Sequence, residues 1–175
     1  MPPGDLWVFG YGSLMWNPGF DHAARARATV HGCHRALCVW SWVHRGTPNA
    51  PGLVLGLDRG GSCTGVAFRV PGARRHATIE YLYARELVTD VYLPAVRAAA
   101  VAGVGVVRAL TFVVDRDHLQ YAGRLAPRHA AAVVRRASGR GGANIDYVTS
   151  TLACLDALDI RCTQLARVRA ALTEP

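Results

Sequence analysis

An apolar run that ends in two closely spaced glycines begins near the amino terminus, in the sequence LWVFGYGSLMW at residues 6–16. Its first residues favour β structure and predict a strand over residues 6–11. Glycine has no Cβ atom and tolerates positive φ, so Gly10 and Gly12 let the following backbone approach a ligand closely. Successive backbone N–H groups can bind a carboxylate or an oxyanion. We therefore predict an anion-binding loop; the alternative is a tight turn or bulge without a ligand.

The order of the remaining patterns predicts an α+β fold in a single domain, residues 1–175. Strand-like segments fill the first half, and helical spacing appears later. A small, largely antiparallel β-barrel with flanking α-helices would remove exposed strand edges, although these patterns alone do not distinguish a barrel from an open sheet. The predicted strands are 6–11, 28–34 and 36–43 around a turn, 53–57, 63–70 and 104–114; the predicted helices are 73–87, 127–138, 144–158 and 162–172.

The composition is that of a globular protein, with 51% hydrophobic and 18% charged residues. The net charge is +8, and all 20 basic residues are arginine. These arginines are scattered, and their densest group, Arg135, Arg136 and Arg140, has no interleaved aromatic residues. We therefore predict no nucleic-acid partner and expect the charge to attract a small anionic substrate. The sequence contains no apolar run of the roughly 18 residues that span a bilayer, so we predict no membrane partner. The first residues lack a secretory pattern, and we expect a cytoplasmic location.

The cysteines predict neither disulfides nor a metal site. There are five of them, and no two follow the Cys-x-x-Cys spacing, so in a cytoplasmic chain we expect most of them to be buried free thiols. A cluster of potential ligands, His31, Cys33, His34 and Cys38, matches no standard zinc spacing. In an alternating strand His31 and Cys33 would also face away from His34. The prediction is therefore no metal.

Glu86 is the candidate general acid/base. It stands at the end of the predicted helix 73–87, where the helix dipole disfavours a carboxylate, and an apolar surround would raise the pKa of this carboxyl further. The alternative is a surface pair with Arg85 of little consequence. Ser13 lacks the Gly-x-Ser-x-Gly context of a nucleophile. Arg45, on a loop rich in glycine and proline, could bind a substrate carboxylate, and Tyr121 could orient a substrate; a solvated loop and a core-capping tyrosine are the alternatives.

Taken together, these motifs resemble those of the ChaC-type, glutathione-specific γ-glutamylcyclotransferase family. The resemblance covers nearly the whole chain. It rests on WVFGYGSLMW at 7–16, HRGTP at 44–48 with Pro51-Gly52, GVAFRV at 65–70, Arg85-Glu86, DRDH at 115–118 with YAG at 121–123, and NIDYV at 144–148.

The resemblance implies a small β-barrel and cleavage of glutathione to 5-oxoproline and Cys-Gly without a metal or organic cofactor. It implies that Glu86 is the catalytic acid/base. Related alternatives are a cyclotransferase for other γ-glutamyl amino acids or amines, and a non-catalytic binding module. The predicted substrate-binding residues are Val8, Phe9, Gly10, Tyr11, Gly12, Ser13, Leu14, Arg45 and Tyr121.

Overall fold

The computed structural model describes residues 4–174. Residues 1–3 and 175 lie outside the described residues. The ends of the predicted domain fall on these residues, and so does most of the segment 1–5, from which we predicted that there is no secretory signal. The described chain divides into two compact units. The first consists of residues 4–34 and Leu57–Val114, and the second of Arg35–Gly56 and residues 115–174. A single domain over 1–175 stays a prediction.

Five strands form a closed barrel in the order β1, β3, β2, β4, β5. Strand β1 pairs antiparallel with β3 and parallel with β5, whereas β4 pairs antiparallel with both β2 and β5. The predicted α+β fold with a small, largely antiparallel barrel is therefore confirmed. The strand bounds are β1 Leu6–Gly10, β2 Ala24–Ser41, β3 Gly52–Val70, β4 Tyr92–Val101 and β5 Gly105–Val114.

Two strands are longer than the sequence predicts. Strand β2 is continuous through the turn expected near residue 35, and β3 is continuous through residues 58–62. Gly60 and Gly61 remain within β3 with φ angles of +93° and +72°. Glycine adopts these angles at little steric cost, so the pair does not end the strand. The Gly60 carbonyl also accepts a hydrogen bond from His34 Nδ1 at 3.0 Å.

Strand β4 was not predicted, because its sequence is rich in alanine and contains Pro94. Alanine has a low intrinsic β propensity, and proline donates no ladder hydrogen bond. The strand nevertheless pairs along its whole length with β5, from Tyr92 opposite Val114 to Val101 opposite Gly105. Pairing with the neighbouring strand therefore outweighs the local preference of these residues.

The four predicted helices are confirmed, with ends that differ by one or two residues. The first, α1, belongs to the first unit and follows a 3₁₀ turn over Gly72–Arg74. Pro127 occupies the first turn of α2, where a missing N–H costs nothing. Within residues 4–174, every helix is too short or too polar to cross a bilayer. The bounds are α1 Arg75–Glu86, α2 Pro127–Arg136, α3 Asn144–Ala157 and α4 Thr163–Thr173, and a two-stranded hairpin, β6 Ser138–Gly139 with β7 Gly142–Ala143, separates α2 from α3.

Candidate active site

The backbone turns sharply where β1 ends. A single 3₁₀ turn over Ser13–Met15 follows, in which the Met15 N–H donates to the Gly12 carbonyl at 2.9 Å. We name residues 10–14 the glycine loop. A Cβ atom on Gly10 would lie 2.9 Å from the Leu14 Cβ, so the loop closes on itself only because residue 10 has no side chain. Neither Gly10 nor Gly12 has a positive φ, so of the two properties of glycine the missing Cβ atom, and not the tolerance of positive φ, explains Gly10.

Several predicted substrate-binding residues face the protein core. The side chains of Val8 and Phe9 are fully buried, and those of Tyr11 and Leu14 are nearly so. The Phe9 carbonyl accepts a hydrogen bond from the buried Thr111 hydroxyl at 3.1 Å. The side chains of Val8 and Phe9 therefore point away from a ligand in solvent. That these two residues contribute to binding stays a prediction, and they would do so by positioning the backbone of the glycine loop.

Glu86 is the last residue of α1, as predicted, and its side chain is mostly buried, with 18% exposed. Burial raises the pKa of the Glu86 carboxyl above its ordinary value, and the neighbouring Arg85 guanidinium partly opposes that rise. Arg85 Nε lies 3.2 Å from Glu86 Oε1. The pair is thus not an exposed surface ion pair, and a carboxyl with a raised pKa is suited to proton transfer near neutral pH.

Arg85 connects this carboxylate with the glycine loop. Its Nη2 donates to the Ser13 hydroxyl at 3.0 Å, while its Nη1 donates to the carbonyls of Asn17 and Pro18 at 2.8 and 3.1 Å. One guanidinium therefore contacts Ser13 and Glu86 at the same time. The sequence analysis assigned no role to Arg85; the signal available there was an arginine directly before the candidate base.

Arg45 belongs to the second unit, where its side chain contacts Ala143 and Tyr147. Its Nη1 donates to the Ala143 carbonyl at 3.2 Å, and its guanidinium lies 5.5 Å from the centre of the Tyr147 ring. The surrounding loop is tightly packed, because a Cβ atom on Gly46 would overlap the backbone at Ser41 and Gly52. Arg45 thus lies on an ordered loop rather than a freely solvated one.

Tyr121 also belongs to the second unit and forms an isolated bridge with Val39 of β2. Its N–H donates to the His118 carbonyl at 2.8 Å, and the Arg116 guanidinium lies 5.9 Å from the centre of its ring. The ring is partly exposed. These contacts fit both predicted alternatives, a residue that caps the core and one that orients a substrate.

Comparison with known proteins decides the family. The family model described as ChaC-like protein matches residues 6–172. The chain belongs to the ChaC-like family. The family that the sequence motifs resemble is thereby confirmed, and its relatives carry the enzyme name that this resemblance implies.

Two curated relatives of this ChaC-like chain illustrate the similarity. The Escherichia coli (strain K12) protein named glutathione-specific gamma-glutamylcyclotransferase is 37% identical over 147 residues, which cover 84% of this chain and 64% of that protein. The Danio rerio glutathione-specific gamma-glutamylcyclotransferase 1 is 34% identical over 149 residues, covering 82% and 75%. The chain thus spans less than two thirds of the E. coli protein's length.

A solved structure supports the fold. The crystal structure of a yeast gamma-glutamyl cyclotransferase specific to glutathione is similar with a TM-score of 0.83 and covers 96% of this chain and 97% of that one. The two sequences are 20% identical, so this similarity concerns the fold alone.

In this ChaC-like chain the motif NIDYV at 144–148 supports strand β3. The buried Asn144 side chain accepts a hydrogen bond from the Leu53 N–H and donates one to the Leu53 carbonyl, both at 2.7 Å. The Tyr147 hydroxyl accepts a hydrogen bond from the Leu55 N–H at 3.2 Å. Both side chains therefore connect α3 with β3 within the second unit, and sequence reasoning assigned no such role to Asn144.

Proposed function

We propose that this protein is a γ-glutamylcyclotransferase that cleaves glutathione to 5-oxoproline and Cys-Gly, with Glu86 as general acid/base. Family membership and the names of the relatives support the reaction class and the substrate. The observation that carries the residue assignment is the Arg85 guanidinium, which contacts both the Glu86 carboxylate and Ser13 of the glycine loop. A base with a raised pKa thus lies beside a loop of the kind that binds anions.

The reaction is an intramolecular aminolysis. The α-amine of the γ-glutamyl group attacks its own γ-carbonyl carbon, a new C–N bond closes a five-membered ring, and the bond to the cysteine nitrogen breaks. The free α-carboxylate beside this amine raises its pKa above that of a peptide amino terminus, so the amine is mostly protonated at neutral pH and a base is needed to deprotonate it. In our proposal Glu86 takes the proton from the attacking nitrogen and returns it to the departing nitrogen. Atoms and charge balance without an enzyme nucleophile or water.

The glycine loop has two tasks in this proposal. The N–H groups of residues 12–14 precede the first backbone hydrogen bond of the 3₁₀ turn, from Met15 to Gly12, so they have no acceptor within that turn. We propose that they bind either the α-carboxylate of the substrate or the oxyanion that develops at the γ-carbonyl. Because the attack is intramolecular, folding the substrate into the reactive conformation supplies much of the rate.

We also propose supporting roles for residues of the second unit and a cellular location. Arg45 would bind a substrate carboxylate, since a guanidinium forms charge-assisted hydrogen bonds with that group. Tyr121 would orient the peptide through its ring or hydroxyl. We propose a cytoplasmic location, where the five cysteines, all free within residues 4–174, would stay reduced.

Incubation of the purified protein with glutathione tests the proposal. We expect equimolar 5-oxoproline and Cys-Gly by mass spectrometry, and much less 5-oxoproline from γ-glutamyl-alanine. Comparable turnover of both compounds would contradict specificity for glutathione while leaving the reaction class intact. Absence of 5-oxoproline from glutathione and from every γ-glutamyl compound in the panel would overturn the proposed function.

A further inference from the structure

Five oxygen atoms surround the guanidinium of Arg85, which is 21% exposed. Nε contacts the Glu86 carboxylate at 3.2 Å, and Nη2 donates to the Ser13 hydroxyl at 3.0 Å. Nη1 lies within 3.1 Å of three more acceptors, which are the carbonyls of Asn17 and Pro18 and the hydroxyl of Tyr81. The contacts thus extend from the glycine loop to the last two turns of α1.

The chain around this group is built closely against it. Gly19 has a φ of +72°, and a Cβ atom there would overlap the Tyr81 hydroxyl and lie 3.4 Å from Arg85 Nη1. A side chain at residue 19 would displace the Tyr81 hydroxyl, so the segment 13–19 lies directly against α1 at this point. Arginine suits this place because its five donors diverge in one rigid plane, whereas the three donors of lysine radiate from a single nitrogen.

We infer that Arg85 is a positioning residue that holds the glycine loop and the Glu86 carboxylate in one fixed arrangement. The role in catalysis rests on the proposed function, but the structural role does not. Arg85 acts through Ser13 and Glu86 and is not itself assigned a contact with substrate. Because all five contacts converge on one side chain, its loss releases the loop and the carboxylate together.

Substitutions of Arg85 separate charge from geometry. Arg85→Lys keeps the positive charge but cannot reach the five acceptors, so we expect kcat/KM for glutathione to fall at least about tenfold, since displacement of reacting groups by about 1 Å can cost a hundredfold. Both parameters change: KM rises because the loop is released, and kcat falls because the carboxylate is misaligned. A residue that served only global stability would leave both values unchanged in the folded fraction.

A double-mutant cycle tests the contact between Arg85 and the loop. Ser13→Ala removes the hydroxyl that accepts from Arg85 Nη2, and it leaves the contact between Arg85 and Glu86 in place. If the two residues act through this contact, the double variant loses less kcat/KM than the product of the two single losses. Losses that simply multiply would contradict the coupling.

Hydrogen–deuterium exchange tests the structural role without any assumption about the reaction. We expect faster exchange at the amides of Met15, Trp16 and Asn17, which donate to the Gly12 and Ser13 carbonyls, in Arg85→Lys and Arg85→Gln, with the barrel amides of β4 and β5 unchanged. The matched control is Arg69→Gln, which breaks an exposed ion pair with Asp5 at 3.3 Å and should change neither exchange in the loop nor kcat/KM.

The outcomes are distinguishable. Unchanged exchange at the amides of residues 15–17 in both Arg85 variants overturns the positioning role, whatever the activity. Faster exchange with wild-type kcat and KM overturns its importance for catalysis. If the wild-type protein releases no 5-oxoproline, the proposed function fails, and the exchange result alone then decides whether Arg85 holds the loop.

Discussion

Glu86 combines two unfavourable placements at the residue scale. It is mostly buried, and it ends a helix whose dipole disfavours negative charge at that end. Arg85 offsets part of this cost but does not remove the upward shift of the carboxyl pKa. A residue that only stabilised the fold would gain nothing from such a position, whereas a proton acceptor gains basicity.

The first prediction concerns the chemistry of this carboxylate. We expect Glu86→Gln to fold normally and to lose at least about a hundredfold in kcat, the usual scale for a general acid or base. The measurement is 5-oxoproline release under saturating glutathione. Glu80→Gln is the control, since Glu80 lies on the same helix in an exposed pair with His76. Near-wild-type activity of Glu86→Gln would remove this residue from the mechanism.

The second prediction concerns stability and pH. A carboxyl whose folded-state pKa is raised binds its proton more tightly in the folded state, so it contributes stability below its ordinary pKa of 4.5 and loses that contribution as pH rises through the folded value. Glutamine resembles the protonated form at every pH. We therefore expect Glu86→Gln to melt at a higher temperature than the wild type at pH 8, with a difference that shrinks towards pH 4.5. A difference independent of pH would contradict the raised pKa.

At the element scale, the glycine loop depends on the missing side chain of residue 10. Gly10→Ala places a methyl group 2.9 Å from the Leu14 Cβ, so the 3₁₀ turn must shift. We expect KM for glutathione to rise at least about tenfold, because the loop amides move away from their ligand. Circular dichroism should show a folded barrel. Wild-type KM in a folded Gly10→Ala variant would argue against substrate binding by the loop.

The junction between α3 and β3 yields a stability prediction. Asn144→Ala leaves the Leu53 N–H and carbonyl without the partners that they have at 2.7 Å. Each unsatisfied buried group costs about 1–3 kcal/mol, so we expect the free energy of unfolding to fall by about 3 kcal/mol. Urea denaturation provides the measurement. Thr149→Ala, which removes an exposed hydroxyl on the same helix, should change it by less than about 0.5 kcal/mol.

Which elements the sequence predicts follows from what stabilises each one. The helices have local signals, such as Pro127 at the start of α2 and the glycines between α2 and α3, and their ends agree within two residues. Strand β4 is held by its partner β5 rather than by its own alanine-rich sequence, and β3 continues through Gly60 and Gly61. Pairing across the sheet is not visible in a local pattern. For this reason the sequence did not predict β4, and it predicted a break in β3 that the structure does not have.

In the candidate site, too, local features could be predicted from the sequence and long-range contacts could not. The position of Glu86 at a helix end follows from local periodicity, and its burial is a matter of tertiary packing. The contacts of Arg85 with Ser13, Asn17 and Pro18 join segments about 70 residues apart, which no spacing rule reveals. The resemblance to a family identified the pair Arg85-Glu86 but gave a role only to the second residue.

At the scale of the whole molecule, the thiols report on the integrity of the fold. Cys33, Cys38 and Cys63 are buried, whereas Cys154 and Cys162 are half-buried. We expect a thiol reagent such as dithionitrobenzoate to modify at most two cysteines rapidly in the native protein and all five in guanidinium chloride. Rapid modification of more than two native thiols would contradict the packing of β2 and β3.

The parallel pairing of Trp7 and Val8 with Ala109 and Leu110 sets an order of events during synthesis. Strand β1 cannot complete its ladder with β5 until about a hundred further residues have been synthesised. A nascent chain can therefore pair β1 with β3 before β5 exists, but the barrel closes only after β5 has been synthesised. Truncation within β5 should for this reason abolish activity even though Glu86 and the glycine loop are already present.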